Sequence, residues 1–173
     1  MDNRLPLLIA AMVTYDIGDA KRIHHFFKVH EFAALIGHLE HLDPSTQFML
    51  EAAAIVHDIG IHLSERKYGS SAGTYQEKEG PAEARHILDE LGGYSESEIA
   101  RICYLVGHHH TYSSIVGSDY QILVEADFLV NIYEDSLSPA AIKNVQSNIF
   151  KTATGNRLLN LIYLSKISTS EDN

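Results

Sequence analysis

Apolar residues recur along most of the chain at the three-and-four spacing of one helical face, and no stretch alternates in the manner of a half-buried strand. The first clear helix is expected from about Ala20 to His41, with His25, Val29, Ala33 and Ile36 along one line and Pro44 just past its end. A second follows Pro44-Ser45-Thr46, carries Met49, Ala52, Ala53, Ile55 and Val56, and stops at His57-Asp58-Ile59-Gly60, where Gly60 reads as a C-terminal stop. From Ile61 to Glu79 the pattern breaks down, and a long loop with a possible lid role is expected there. Helix resumes at Pro81 as a first-turn residue and runs to Leu91 before Gly92-Gly93. Another starts after Ser95, with Ile99, Ile102 and Val106 on one face, and meets His108-His109-His110. Beyond Gly117-Ser118-Asp119 an inward stripe of Leu123, Ala126, Val130 and Tyr133 predicts a further helix. Pro139 to Phe150 and Leu158 to Leu164 supply the last two. The expectation is an all-α, single-domain irregular helical bundle over residues 20–165. Residues 1–19 form an N-terminal helix or strap, and residues 166–173 a polar flexible tail.

Composition narrows the class. Hydrophobic residues are 45% and charged residues 21% of the 173, a balance typical of a globular domain. The net charge of −10, from 23 acidic against 13 basic residues, disfavours a nucleic-acid polymer or an anionic membrane as partner. A small phosphorylated substrate remains compatible, because a bound metal supplies local positive charge. Cys103 is the only cysteine, which rules out an intrachain disulfide and fits a cytoplasmic location. The apolar run Leu5 to Val13 is too short to span a bilayer, and its basic start is thin. No pattern specifies an oligomeric state.

The chemistry concentrates on inward faces. His57-Asp58 ends a nearly continuous apolar helix; neighbouring helical residues point about 100° apart, but at a terminus imidazole and carboxylate can converge on one cation. A C-terminal histidine favoured by the helix dipole is the plainer alternative. Asp127 sits beside Ala126 within an apolar stripe, and a buried carboxylate is costly unless paired or coordinated. A salt bridge to arginine or lysine would also satisfy it. His25 repeats the pattern above Val29 and Ala33, where a lone histidine is more often a satisfied core residue. Three separate helices each bring a metal-capable group inward.

Arg22-Ile23-His24-His25-Phe26-Phe27-Lys28-Val29, then Ala53-Ala54-Ile55-Val56-His57-Asp58-Ile59-Gly60, then Glu125-Ala126-Asp127 resembles the H…HD…D signature of the HD superfamily of metal-dependent phosphohydrolases over roughly residues 20 to 135. The spacing of that family to Val29 and Ala33 selects His25 over His24. The resemblance implies a helical bundle with His25, His57, Asp58 and Asp127 around one divalent cation, and Asp58 or Asp127 as acceptor of the water proton. Two nitrogens and two carboxylates suit Mn²⁺, Fe²⁺, Co²⁺, Ni²⁺ or Zn²⁺ better than Ca²⁺.

Binuclear relatives, including the HD-GYP branch, use histidines near His108-His109-His110 for a second metal. Here His109 faces inward, with His110 next. The chain departs from those relatives at Gly80, where they have a ligand histidine before proline, at Ile61, where they have lysine, and in lacking a Gly-Tyr-Pro motif. One metal per chain is favoured over two, with His109, His110 and Glu79 serving a second metal or the substrate phosphate. Lys28, three residues after His25, is the first candidate for a phosphate contact. Lys67 and Tyr75 follow as candidate substrate contacts in the expected loop, with His62 and Arg66 beside them. His86 reads as solvated, and His30, His38 and His41 as surface residues. The functional expectation is hydrolysis of a phosphomonoester or phosphoanhydride of a small molecule, a nucleotide foremost. The alternatives are a non-catalytic nucleotide- or metal-binding HD sensor and, more distantly, a di-iron oxygenase.

Overall fold

Capped amphipathic segments account for most of the chain in the computed structural model, which describes residues 3–165. In order the helices are α1 (Arg4–Tyr15), α2 (Ala20–Leu39), α3 (Pro44–Val56), α4 (Ile61–Tyr68), α5 (Gly73–Leu91), α6 (Glu96–Val106), α7 (Ser118–Glu134), α8 (Pro139–Ile149) and α9 (Ala153–Leu159). A π-helical turn, Asn160–Leu164, continues α9. No strand occurs among the described residues. The expected polar tail, 166–173, lies outside them.

Local sequence explains the starts. Asp19, Asp43, Ser138 and Thr152 each cap a helix by accepting a hydrogen bond from a first-turn amide. Ser95 and Glu98 form a reciprocal capping box at α6. Each such cap stabilises its helix by about 1 kcal/mol. α2 is expected to reach His41 but ends at Leu39, because His41 turns left-handed (φ 59°) and takes the chain back toward α3.

α2 lies between α3 and α7, and α3 also packs on α6 and α1. The shared core is fully buried at Val29, Ala33, Ile36, Leu50, Ile55, Ile102, Leu105, Leu123 and Leu129, each large member worth about 1.5–3 kcal/mol. α1 closes the far side with Leu8 and Met12 buried. No helix among the described residues is long and apolar enough to cross a membrane.

Five expectations are corrected. The loop expected over residues 61–79 is α4 and the first two turns of α5. Apart from Ile61, the buried side chains of these turns are polar, Ser64, Gln76 and Glu79, so hydropathy shows no helical stripe there. Pro81 stands inside α5 rather than at its start. Gly60 is right-handed (φ −71°) and not a left-handed stop; its use is close approach. A Cβ on Gly60 would lie 2.7 Å from the Gln76 carbonyl oxygen and 2.8 Å from the Gly80 nitrogen, so α4 and α5 meet backbone to backbone beside His57-Asp58. Tyr133, expected in the inward stripe of α7, is 75% exposed, whereas His30, expected on the surface, is buried against Glu51.

Candidate metal centre

Three chain segments present imidazoles to one point. His25 comes from the second turn of α2, His57 caps the C-terminus of α3 with Asp58 next to it, and His109 follows the C-terminus of α6. Asp127 projects from the middle of α7. His25 Nε2 lies 3.2 Å from His57 Nε2, 3.2 Å from Asp127 Oδ1 and 3.5 Å from Asp58 Oδ2. His57 Nε2 is 3.5 Å from Asp58 Oδ2 and 3.7 Å from Asp127 Oδ1. His109 Nε2 lies 3.4 Å from the other oxygen of Asp58, Oδ1. His24, the rejected neighbour of His25, is exposed.

The opposite ring nitrogens decide what this means. His57 Nδ1 donates to the Ala54 carbonyl (2.8 Å) and His109 Nδ1 to the Val106 carbonyl (2.8 Å). His25 Nδ1 donates to Glu134 Oε2 (2.9 Å). With a proton fixed on each Nδ1, every neutral imidazole turns an Nε2 lone pair inward. His109 Nε2 is buried with no hydrogen-bond partner. Lone pairs facing carboxylates with no donor between them are a costly arrangement unless a cation stands there.

The electrostatics agree. Burial opposes charge on His25, yet the facing carboxylates of Asp127 and Asp58 push it up to about 9. His57 is raised against its complete burial by Asp58 and Asp127. Burial would raise Asp58 and Asp127; the imidazoles instead hold both carboxyls below the usual range. The cluster demands positive charge, and protons supply it in the absence of a metal. His110 behaves differently: burial and the neighbouring His109 push it down to about 4.

Among the described residues, two groups could hold an ion: His25, His57 and Asp58, and Asp58, His109 and His110. Asp127 adjoins the first through His25 and His57. The four residues expected around one metal are thus brought together, and the two groups share Asp58. Glu79 is not among them, because it accepts from Lys67 Nζ (2.6 Å) and the Tyr68 hydroxyl (2.6 Å). Gly80 offers no ligand, and a Cβ there would meet Val106 Cγ1 at 2.7 Å.

A cleft of about 230 Å³ opens beside the cluster, walled by Lys21, Arg22, His25, Asp58, Asn131 and Glu134. Lys28, expected as a phosphate contact, pairs with Glu134 Oε1 (2.6 Å) at the rim. Lys67 is held by Glu79, and Tyr75 stacks on Tyr68 at 4.2 Å. His62 bridges Asp16 and Arg22. His86 is 70% exposed, as expected.

Three supporting residues escaped the sequence reading. Glu134 orients His25, Asn131 donates to Asp127 Oδ1 (2.8 Å), and Arg22 is fixed in the cleft wall by Asp19 (3.0 Å) and Glu65 (2.7 Å). Their signal was spacing: Asn131 and Glu134 follow Asp127 by four and seven positions on one helix face, and Arg22 precedes His25 by three.

No protein-family model and no curated protein sequence matches this chain. Among solved structures it is similar to the crystal structure of a predicted HD superfamily hydrolase from an uncultured Thermotogales bacterium. The two share 24% sequence identity and a TM-score of 0.69, with 97% of this chain and 90% of the other covered. At that level of identity the likeness speaks for architecture: the chain has the helical fold of that HD superfamily protein.

Proposed function

We propose that this chain is a metal-dependent phosphohydrolase of a small phosphorylated molecule, a nucleotide foremost. One observation carries the reading: the Nε2 lone pairs of His25, His57 and His109 converge on Asp58 and Asp127, with no donor to occupy them, beside an open cleft. The shared fold with a protein described as an HD superfamily hydrolase supports it. The mixed nitrogen and oxygen donors suit Mn²⁺, Fe²⁺, Co²⁺, Ni²⁺ or Zn²⁺. Such a cation, when bound, polarises a phosphoryl oxygen and lowers the pKa of bound water.

The chain's own residues do the rest. Asp58, with its side chain 23% exposed, faces the cleft and accepts the proton of the attacking water. Asp127, 5% exposed and tied to Asn131, serves as a fixed ligand. Lys21, in the cleft wall and without a carboxylate partner, presents its ammonium to the phosphoryl oxygens, while Arg22 is spent on Asp19 and Glu65. The water oxygen bonds to phosphorus, the ester or anhydride P–O bond breaks, and the departing oxygen takes up a proton.

A second reading, with two cations instead of one, rests on one specific feature: Asp58 turns one oxygen to His25 and His57 and the other to His109. Elemental analysis of protein purified without chelators gives the count, and phosphate release from nucleotides and sugar phosphates with Mn²⁺, Co²⁺ or Ni²⁺ tests the reaction. One or more metals per chain and turnover lost in His57→Ala are expected. Failure to bind any of these metals refutes the reading, and metal and nucleotide binding without turnover points to a sensor.

A further inference from the structure

Around the metal centre, nearly every basic side chain that could meet a phosphate is already neutralised. Arg22 is paired with Asp19 and Glu65, Lys28 with Glu134, and Lys67 with Glu79. Lys21 alone among the cleft's basic residues makes no side-chain ion pair or hydrogen bond. The lining holds four carboxylates, Asp19, Asp58, Glu134 and Asp135, against two formal cations, Lys21 and Arg22. Asp135 closes α7 as an exposed group, and its carboxylate is likewise unpaired at the mouth. The lining is therefore net acidic, and a single divalent cation brings it only to about neutrality. Size points the same way. About 230 Å³ falls below the roughly 300–1,000 Å³ of sites that enclose a drug-sized ligand.

A phosphomonoester brings about −1.5 to −2 charge into that near-neutral lining, the least a phosphorylated substrate can bring. Each added phosphoryl group brings further negative charge past the metal, toward a rim that holds Asp19, Glu134 and Asp135 and no spare cation except Lys21. We infer that the cleft selects phosphomonoesters and discriminates against nucleoside di- and triphosphates through this acidic rim. The inference rests on the phosphohydrolase reading above and narrows its substrate class. The unpaired carboxylate of Asp135 sets the discrimination most directly, because nothing in the fold depends on it.

The test compares kcat/KM for a nucleoside monophosphate, its di- and triphosphate, and glucose 6-phosphate, using metal-loaded wild type and Asp135→Lys. The expected result is a preference of about tenfold or more for the monoesters over the triphosphate. Asp135→Lys narrows that gap several-fold through the triphosphate KM, and added salt narrows it in the wild type, since the rim is exposed. Triphosphate turnover equal to or better than monophosphate overturns this inference and leaves the phosphohydrolase reading intact. A gap unmoved by Asp135→Lys and by salt also overturns it, since the acidic rim then does no discriminating. No phosphate released from any of the four compounds overturns both.

Discussion

Glu125 and Asp127 stand two residues apart on α7, both buried and both carboxylates, yet they do opposite things. Glu125 is surrounded by donors: the Gln121 amide (2.8 Å), the backbone amides of Lys151 (2.6 Å) and Thr152 (2.9 Å), and the Thr152 hydroxyl. It locks the α8–α9 junction onto α7, and Gly155 leaves the room it needs. Asp127 has one donor, Asn131, and otherwise faces imidazole nitrogens. Burial is common to both, so burial does not identify a ligand. What separates the two is whether the neighbours bring hydrogens or lone pairs.

That contrast is open to experiment, beginning where the effects are largest. Asp127→Ala should leave purified protein with almost no bound metal by elemental analysis, while the metal-free melting temperature falls less than in Glu125→Ala. Glu125→Ala should do the reverse: several buried donors lose their acceptor, for a loss of about 3–5 kcal/mol and roughly 10 °C or more in Tm. The protein that still folds should keep its metal. Loss of metal from both variants in folded protein would erase the distinction.

Glu134→Gln isolates orientation from ligation. The His25 ring loses its charged anchor, and metal affinity measured by competition with a chelator should fall about 10–100-fold without a matching loss of Tm. The smallest effect concerns Glu51, a partly buried carboxylate facing one imidazole, His30, together with the donor Gln47. Burial would raise its pKa, but His30 and Gln47 hold it below the ordinary 4.5. Its contribution to stability is therefore present above about pH 4.5 and lost as pH falls through the depressed folded value. Glu51→Gln should cost about 1 kcal/mol in neutral urea denaturation, with the gap to wild type closing in acid and no change in metal content.

The elements that carry the expected ligands were legible because α2, α3, α6 and α7 bury apolar residues at helical spacing, with His25, His109 and Asp127 interrupting those stripes. α4 and the start of α5 were not, since Ser64, Gln76 and Glu79 are buried through polar partnerships that no hydropathy pattern records. Tyr133 was misplaced for a related reason: helical spacing near the end of α7 cannot tell where the neighbouring helices stop covering it. Glu134 and Asn131 share a face with Asp127, but they become meaningful only after Asp127 has been placed. Which cations are spent on which carboxylates, as with Lys28 and Lys67, depends on tertiary geometry alone.

The backbone contact between Gly60 and Gly80 constrains how this centre could be remodelled. An imidazole introduced at position 80 would have to displace Val106, and would press the α4–α5 seam apart where it supports His57 and Asp58. The same substitution would add one donor and dislodge two. A route to a richer centre, by selection or by design, therefore begins with widening that seam, and any histidine comes afterwards.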